Sequence, residues 1–120
     1  MKITKRVVFC AAHSIKGAGK CENKHGHNWV ANITVECDEL DDRGFIADVA
    51  EIKQAAFQYD HDDLDKYFEY PSTENVADQI ARDVLDIVLR SNKYAKDVDV
   101  HVHLIETENN SAHAYRRSSS

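Results

Sequence analysis

Val76, Ile80, Val84, Ile87 and Val88 fall on one stripe of a helix that opens at Pro71-Ser72-Thr73-Glu74 and runs to Arg90. A helix with a single apolar stripe needs an apolar surface to lie on, and the rest of the chain supplies one in strand form. Residues 2–13 alternate loosely around Ile3, Val7, Val8 and Phe9, and His27 to Cys37 is rich in Trp29, Val30, Ile33, Thr34 and Val35. After the helix, Val98, Val100, Val102, Leu104 and Ile105 read as another strand, and Ser111 to Tyr115 can pair beside it. A shorter helix is expected from Ala47 to Tyr59, with Val49, Ile52, Ala56 and Phe57 near helical spacing and Asp48 as its N-cap. Residues 14–24, with Gly17 and Gly19, read as a loop, Asp41-Asp42-Arg43-Gly44 as a turn, and Asp60 to Glu69 as a polar, acidic connection. The two N-terminal strands are expected to pair antiparallel. The order β-β-α-α-β-β predicts an α+β domain with both helices on one face of an antiparallel sheet.

No internal repeat or linker divides the 120 residues, so a single domain over 1–120 is expected. A domain this small buries a limited share of its surface, which favours association. A formal net charge of −6 argues against nucleic acid as a partner. The start Met1-Lys2-Ile3-Thr4 lacks an apolar signal core, and no apolar run nears the roughly 20 residues that span a bilayer. A cytoplasmic protein with no membrane partner is the expectation. Three cysteines, an odd number, speak against a disulfide framework, and Cys10 and Cys37 are expected to be packing residues. The tail Ser118-Ser119-Ser120 is expected to fray.

Chemistry concentrates in Cys21-Glu22-Asn23-Lys24-His25-Gly26-His27. Residues two apart on a strand project to the same face, so His25 and His27 can present two imidazoles to one metal ion, with Gly26 leaving space between them. His13, ending the preceding strand, is the natural third ligand of a zinc site that keeps an open position. Cys21 either closes that position as a fourth ligand or supplies a thiolate as base or nucleophile; spacing does not choose. Asp60-His61 can act together only on an irregular turn. Glu106-Thr107 ends a buried strand, where a carboxylate can accept paired hydrogen bonds from an amidine-like edge. His101 and His103 form a competing pair without a nearby Cys or Gly, and read as structural or interface residues of one sheet face.

Phe9-Cys10-Ala11-Ala12-His13, Cys21-x-x-x-His25-Gly26-His27, Asp60-His61 with Leu64, Pro71-Ser72-Thr73-Glu74-Asn75, Glu106-Thr107 and Ala112-x-x-Tyr115 follow one another in that order. Together they resemble the landmarks of the 6-pyruvoyl-tetrahydropterin synthase and 6-carboxy-tetrahydropterin synthase family, over almost the whole chain. The resemblance implies a tunnelling fold, whose subunits join their sheets into a barrel, usually as a homohexamer of two trimers with active sites at subunit interfaces. It implies Zn2+ on His13, His25 and His27, and Cys21 as general base, linked to Asp60 and His61 as a proton relay. Glu106 would anchor a dihydropterin substrate, with Thr73, Glu74 and Thr107 as further pocket residues.

The short Cys-x-x-x-His-Gly-His spacing resembles the bacterial 6-carboxy-tetrahydropterin synthases of queuosine and 7-deazaguanine synthesis. Their reaction takes 7,8-dihydroneopterin triphosphate to 6-carboxy-tetrahydropterin, acetaldehyde and triphosphate. Lys16, Lys20 and Lys24 are candidates to meet the triphosphate. Glu22 also creates Glu-x-x-His-Gly-His, which resembles relatives that cleave dihydroneopterin for folate. Two readings outside this reaction are a non-catalytic zinc-binding assembly module with Cys21 as fourth ligand, and a zinc hydrolase indifferent to loss of Cys21.

Overall fold

The computed structural model describes residues 1–17 and 24–118. Strands β1 (Lys2–His13) and β2 (His25–Glu36) pair antiparallel in one unbroken register, from Lys2 opposite Glu36 to His13 opposite His25. Helix α1 (Val49–Phe57) follows, then a two-residue strand β3 (Asp62–Asp63) and a 3-10 turn (Leu64–Lys66). Helix α2 (Thr73–Ser91) and strands β4 (Asp99–Thr107) and β5 (Asn110–Arg117) complete the order. The sheet reads β3-β1-β2-β4-β5, antiparallel throughout except that β3 runs parallel to β1.

Both predicted helices form where their caps stand. The Asp48 carboxylate accepts from Ala50 N, and the Ser72 hydroxyl accepts from Asn75 N, each satisfying an N–H that the first turn leaves without a partner. Asp41 binds Arg43 N and Phe45 N through one oxygen, and Gly44 turns the chain at φ 85°. β2 begins two residues earlier than the sequence suggested, so His25 stands on the strand itself.

Period-two alternation sorts the sheet into two faces. Val7, Phe9, Ala11, Trp29, Ala31, Ile33, Val35, Val100, Val102 and Leu104 are buried towards the helices. Ile52, Ala55 and Ala56 of α1 and Val76, Ala77, Ile80, Ala81, Val84 and Val88 of α2 meet them. Ile87 borders this core, whereas Val49 is exposed at the start of α1.

Two expectations are corrected. Cys37 is a core residue as expected, but Cys10 is exposed, because the even-numbered positions of β1 face away from the helices. Ser118 does not fray: its N–H donates to Val98 O, and its hydroxyl accepts from Val98 N, at 2.9 and 2.8 Å. The remaining tail serines lie outside the described residues.

Asn92, the C-cap of α2, is buried and ties the loop after β2 to the helix end. Its amide donates to Glu39 O at 2.9 Å and Ile46 O at 3.1 Å, and its carbonyl accepts from Tyr94 N. Asn92→Ala strands these buried partners and is expected to lower the unfolding free energy by about 1–3 kcal/mol, read from the urea midpoint at unchanged slope.

Candidate functional site

The site lies at the end of the sheet where β1 stops and β2 begins. His13, His25 and His27 all occupy positions whose side chains face the helices, on the same alternation that buries Phe9 and Trp29. Their ring centroids are 4.5 Å (13 to 25), 4.7 Å (25 to 27) and 5.2 Å (13 to 27) apart. Trp29 closes the inner wall, edge-on to His13 at 5.0 Å and His27 at 5.7 Å, with its Nε1–H donated to Ala11 O. From β4 comes Glu106, and from the first turn of α2 comes Thr73.

The four side chains His13, His25, His27 and Glu106 each offer a ligand atom, and these atoms all lie within 4.8 Å of one another. His13 Nδ1–H donates to Pro71 O at 2.8 Å, because a carbonyl oxygen can only accept. His13 Nε2 stands 3.1 Å from Glu106 Oε1, within hydrogen-bond distance of that oxygen. His27 Nε2 is 3.0 Å from the same oxygen but not aligned for a hydrogen bond, and it has no hydrogen-bond partner among the described residues. Burial pushes the His27 pKa down, which favours the neutral, ligating form; the Glu106 charge opposes this, and His25 and His13 reinforce it.

Three imidazole rings and a carboxylate oxygen brought this close together form a group that could hold a cation. Three imidazoles with one carboxylate suit zinc and its first-row neighbours, so the donor set fits the metal the sequence led us to expect. Thr73 Oγ1 donates to Glu106 Oε2 at 2.8 Å, holding the carboxylate in place. Glu106, expected from the resemblance to anchor the substrate, has its carboxylate among the imidazoles.

The other predicted site residues lie at varying distance. Asp60-His61 does occupy an irregular turn, with His61 at φ 57°. Asp60 Oδ1 accepts from Cys10 N at 2.9 Å, His61 N donates to Cys10 O at 2.7 Å, and Asp60 Oδ2 lies 3.5 Å from His61 Nε2. The His61 side chain is 84% exposed. Their anchor, Cys10, precedes His13 by three residues, about 10 Å along the strand; within this chain the pair does not join the imidazole group. Glu74 is exposed on the first turn of α2, and the Thr107 hydroxyl accepts from Asn109 N in the turn to β5. Cys21, Glu22 and Lys20 lie outside the described residues.

What the sequence did not signal is the work of the acidic connection. Asp65 takes both the N–H and the hydroxyl of Ser14, at 3.0 and 2.6 Å. Lys24 is ion-paired to Asp63 and, at 3.6 Å, to Asp65. The Asp63 hydrogen bond raises the Lys24 pKa and commits its charge to this pair. Acidic side chains thus tether the chain just after His13 and just before His25. Asp or Glu residues following Asp60-His61, with Ser after His13 and Lys before His25, are the pattern that could have revealed it.

A mostly antiparallel sheet with two helices on one face, and at its end a histidine–glutamate group that could hold a metal ion, defines an α+β protein with a candidate metal site. Comparison with known proteins narrows the class. The model of the 6-pyruvoyl tetrahydropterin synthase family matches residues 2–117, and the chain belongs to that family. It is 38% identical over 90 residues to the 6-carboxy-5,6,7,8-tetrahydropterin synthase of Bacillus subtilis (strain 168), covering 66% of this chain and 62% of that protein. It is 29% identical over 122 residues to the 6-pyruvoyl tetrahydrobiopterin synthase of Dictyostelium discoideum, covering 90% of each. The match thus spans about three-fifths of the length of the Bacillus relative. The fold is that of the Caenorhabditis elegans 6-pyruvoyl tetrahydropterin synthase, with a TM-score of 0.67 at 24% identity over 99% of this chain and 96% of that one.

Proposed function

We propose that this chain is a zinc-dependent 6-carboxy-5,6,7,8-tetrahydropterin synthase, a lyase that turns 7,8-dihydroneopterin triphosphate into 6-carboxy-tetrahydropterin, acetaldehyde and triphosphate for queuosine and 7-deazaguanine synthesis. The observation that carries the reading is the convergence of His13, His25, His27 and Glu106, in a chain whose relatives include several proteins of that name. His13, His25 and His27 would hold the zinc ion, which when bound would supply Lewis-acid polarisation of hydroxyls on the substrate side chain. Cys21 would be the general base that removes the proton. Asp60 orients His61 and fixes its tautomer, so that the other ring nitrogen moves protons. Glu106 holds the pterin amino group and ring nitrogen, with Thr73 steadying its carboxylate and Glu74 and Thr107 at the pocket rim. The working form is a cytoplasmic homohexamer of single-domain subunits, in which Asp60-His61 serves a site shared between subunits.

A second reading has specific support. The chain is also 31% identical over 80 residues to the dihydroneopterin monophosphate aldolase of Pyrococcus furiosus (strain ATCC 43587 / DSM 3638 / JCM 8422 / Vc1). Glu22, beside Cys21, is the residue that would carry such a cleavage. Incubating zinc-loaded protein with 7,8-dihydroneopterin triphosphate and identifying products by mass spectrometry separates the two. Carboxy-tetrahydropterin with acetaldehyde is expected; a hydroxymethyl-dihydropterin would transfer the assignment to Glu22, and no turnover by folded, zinc-loaded protein would sink both.

A further inference from the structure

His13 opposite His25 is the last pair of the β1–β2 ladder. Beyond it residues 14–24 join the two strands, a connection far longer than the two-residue turn that fixes a hairpin end by its own geometry. On its other flank β2 pairs with β4 only from Val30 to Glu36, so within the sheet His25 has the β1 ladder alone. The end of a ladder is where strands open first. Two of the three imidazoles of the candidate metal group stand on this end pair, and their spacing calls for a restraint from outside the ladder.

Asp65 supplies one. One residue past His13, the Ser14 N–H donates to Asp65 Oδ1 at 3.0 Å and the Ser14 hydroxyl donates to Oδ2 at 2.6 Å. One residue before His25, Lys24 Nζ lies 3.6 Å from that same Oδ2 and is ion-paired to Asp63. A single carboxylate thus engages both strand ends. Its own place is fixed from three directions. The Asp65 N–H donates to Asp63 Oδ1 at 3.0 Å, the preceding Leu64 is fully buried, and Asp62 and Asp63 pair with Ala11 and Ala12 of β1. Asp65 is not one of the four side chains whose ligand atoms converge, so its effect on an ion passes through the histidines.

We propose, resting on the reading of His13, His25 and His27 as the metal site, that Asp65 is a positioning residue for that site. It clamps the ends of β1 and β2 at the spacing the ion requires, and so sets the affinity of the site for its metal.

Zinc affinity is measured by competition with a chromophoric chelator, and amide hydrogen exchange is followed by mass spectrometry on the metal-free protein. The wild type is compared with Asp65→Ala, Asp65→Asn and Asn92→Ala. Loss of an outer partner typically lowers metal affinity by roughly 10–100-fold, and Asp65→Ala is expected in that range. Asp65→Asn keeps a carbonyl for the Ser14 N–H and an amide that can donate to the Ser14 hydroxyl, so it should restore all but a few-fold of the affinity. Asn92→Ala loosens the far end of the sheet, where Asn92 holds Glu39 O and Ile46 O, and should bind zinc like the wild type. That control separates positioning from a general loss of stability. In metal-free Asp65→Ala, exchange should speed up about tenfold at the His13 and His25 ends of the strands and stay unchanged around Val7 and Ile33. Should Asp65→Ala not fold, Ser14→Ala, which removes only the hydroxyl bond, is expected to lose affinity several-fold. Unchanged zinc affinity in the clamp variants, unchanged strand-end exchange, or an equal loss in Asn92→Ala overturns the proposal. A wild type that binds no zinc would fail the metal reading and the proposal together, whereas tight binding by both wild type and Asp65→Ala would fail the proposal alone.

Discussion

His27→Ala is expected to abolish metal binding at the His13–His25–His27 group and, with it, the proposed turnover, while leaving the sheet folded. Nε2 of His27 is buried, lacks a hydrogen-bond partner among the described residues, and lies in the group whose ligand atoms are within 4.8 Å of one another. Removing one of three imidazoles takes away a bond to the ion itself. The affinity loss should therefore exceed the roughly 10–100-fold that follows loss of an outer partner. The fold has little at stake, since the His27 side chain keeps 19% exposure and β2 is held on both sides by backbone pairing. Elemental analysis after dialysis, beside far-ultraviolet circular dichroism, reads both halves of the expectation. His61→Ala is the control: its side chain is 84% exposed and outside the group, so the metal should stay. Unchanged metal content in His27→Ala would remove it from the ligand set.

The difference between these two histidines shows what was readable from the chain alone. His13, His25 and His27 were legible because strand alternation has a fixed period, and pairing of two adjacent strands brings their ends together. The α2 stripe and both helix caps were legible for the same local reason. Glu106 was visible as a strand-end carboxylate, but its place among the imidazoles depends on the register between β2 and β4 and on a shift between Ile105 and Thr107, neither of which has a local signature. β3, two residues of parallel pairing beside Ala11 and Ala12, is too short to have a pattern. Cys10 is exposed because its even-numbered place in the β1 alternation outweighs cysteine's usual preference for burial. In each failure a long-range register or an orientation overrode the residue's own tendency.

Cys21→Ala is expected to keep the metal and lower kcat/KM by roughly 10²–10⁴-fold, the usual contribution of a positioned general base. The reasoning rests on the proposed reaction and on how the chain approaches this residue. Ser14, one residue after His13, is tied to Asp65, and Lys24, one residue before His25, is tied to Asp63 and Asp65. A cysteine acts as a base only as its thiolate, so a nearby positive charge would raise the fraction able to accept a proton. Glu22→Gln should change kcat/KM little, since under this assignment Glu22 moves no proton. Measuring metal content and product formation together discriminates the alternatives. Loss of metal in Cys21→Ala would make the cysteine a ligand and leave the base unassigned. Full activity in Cys21→Ala with a large loss in Glu22→Gln would give the base role to the glutamate, and would align this chain with aldol cleavage of the dihydropterin side chain.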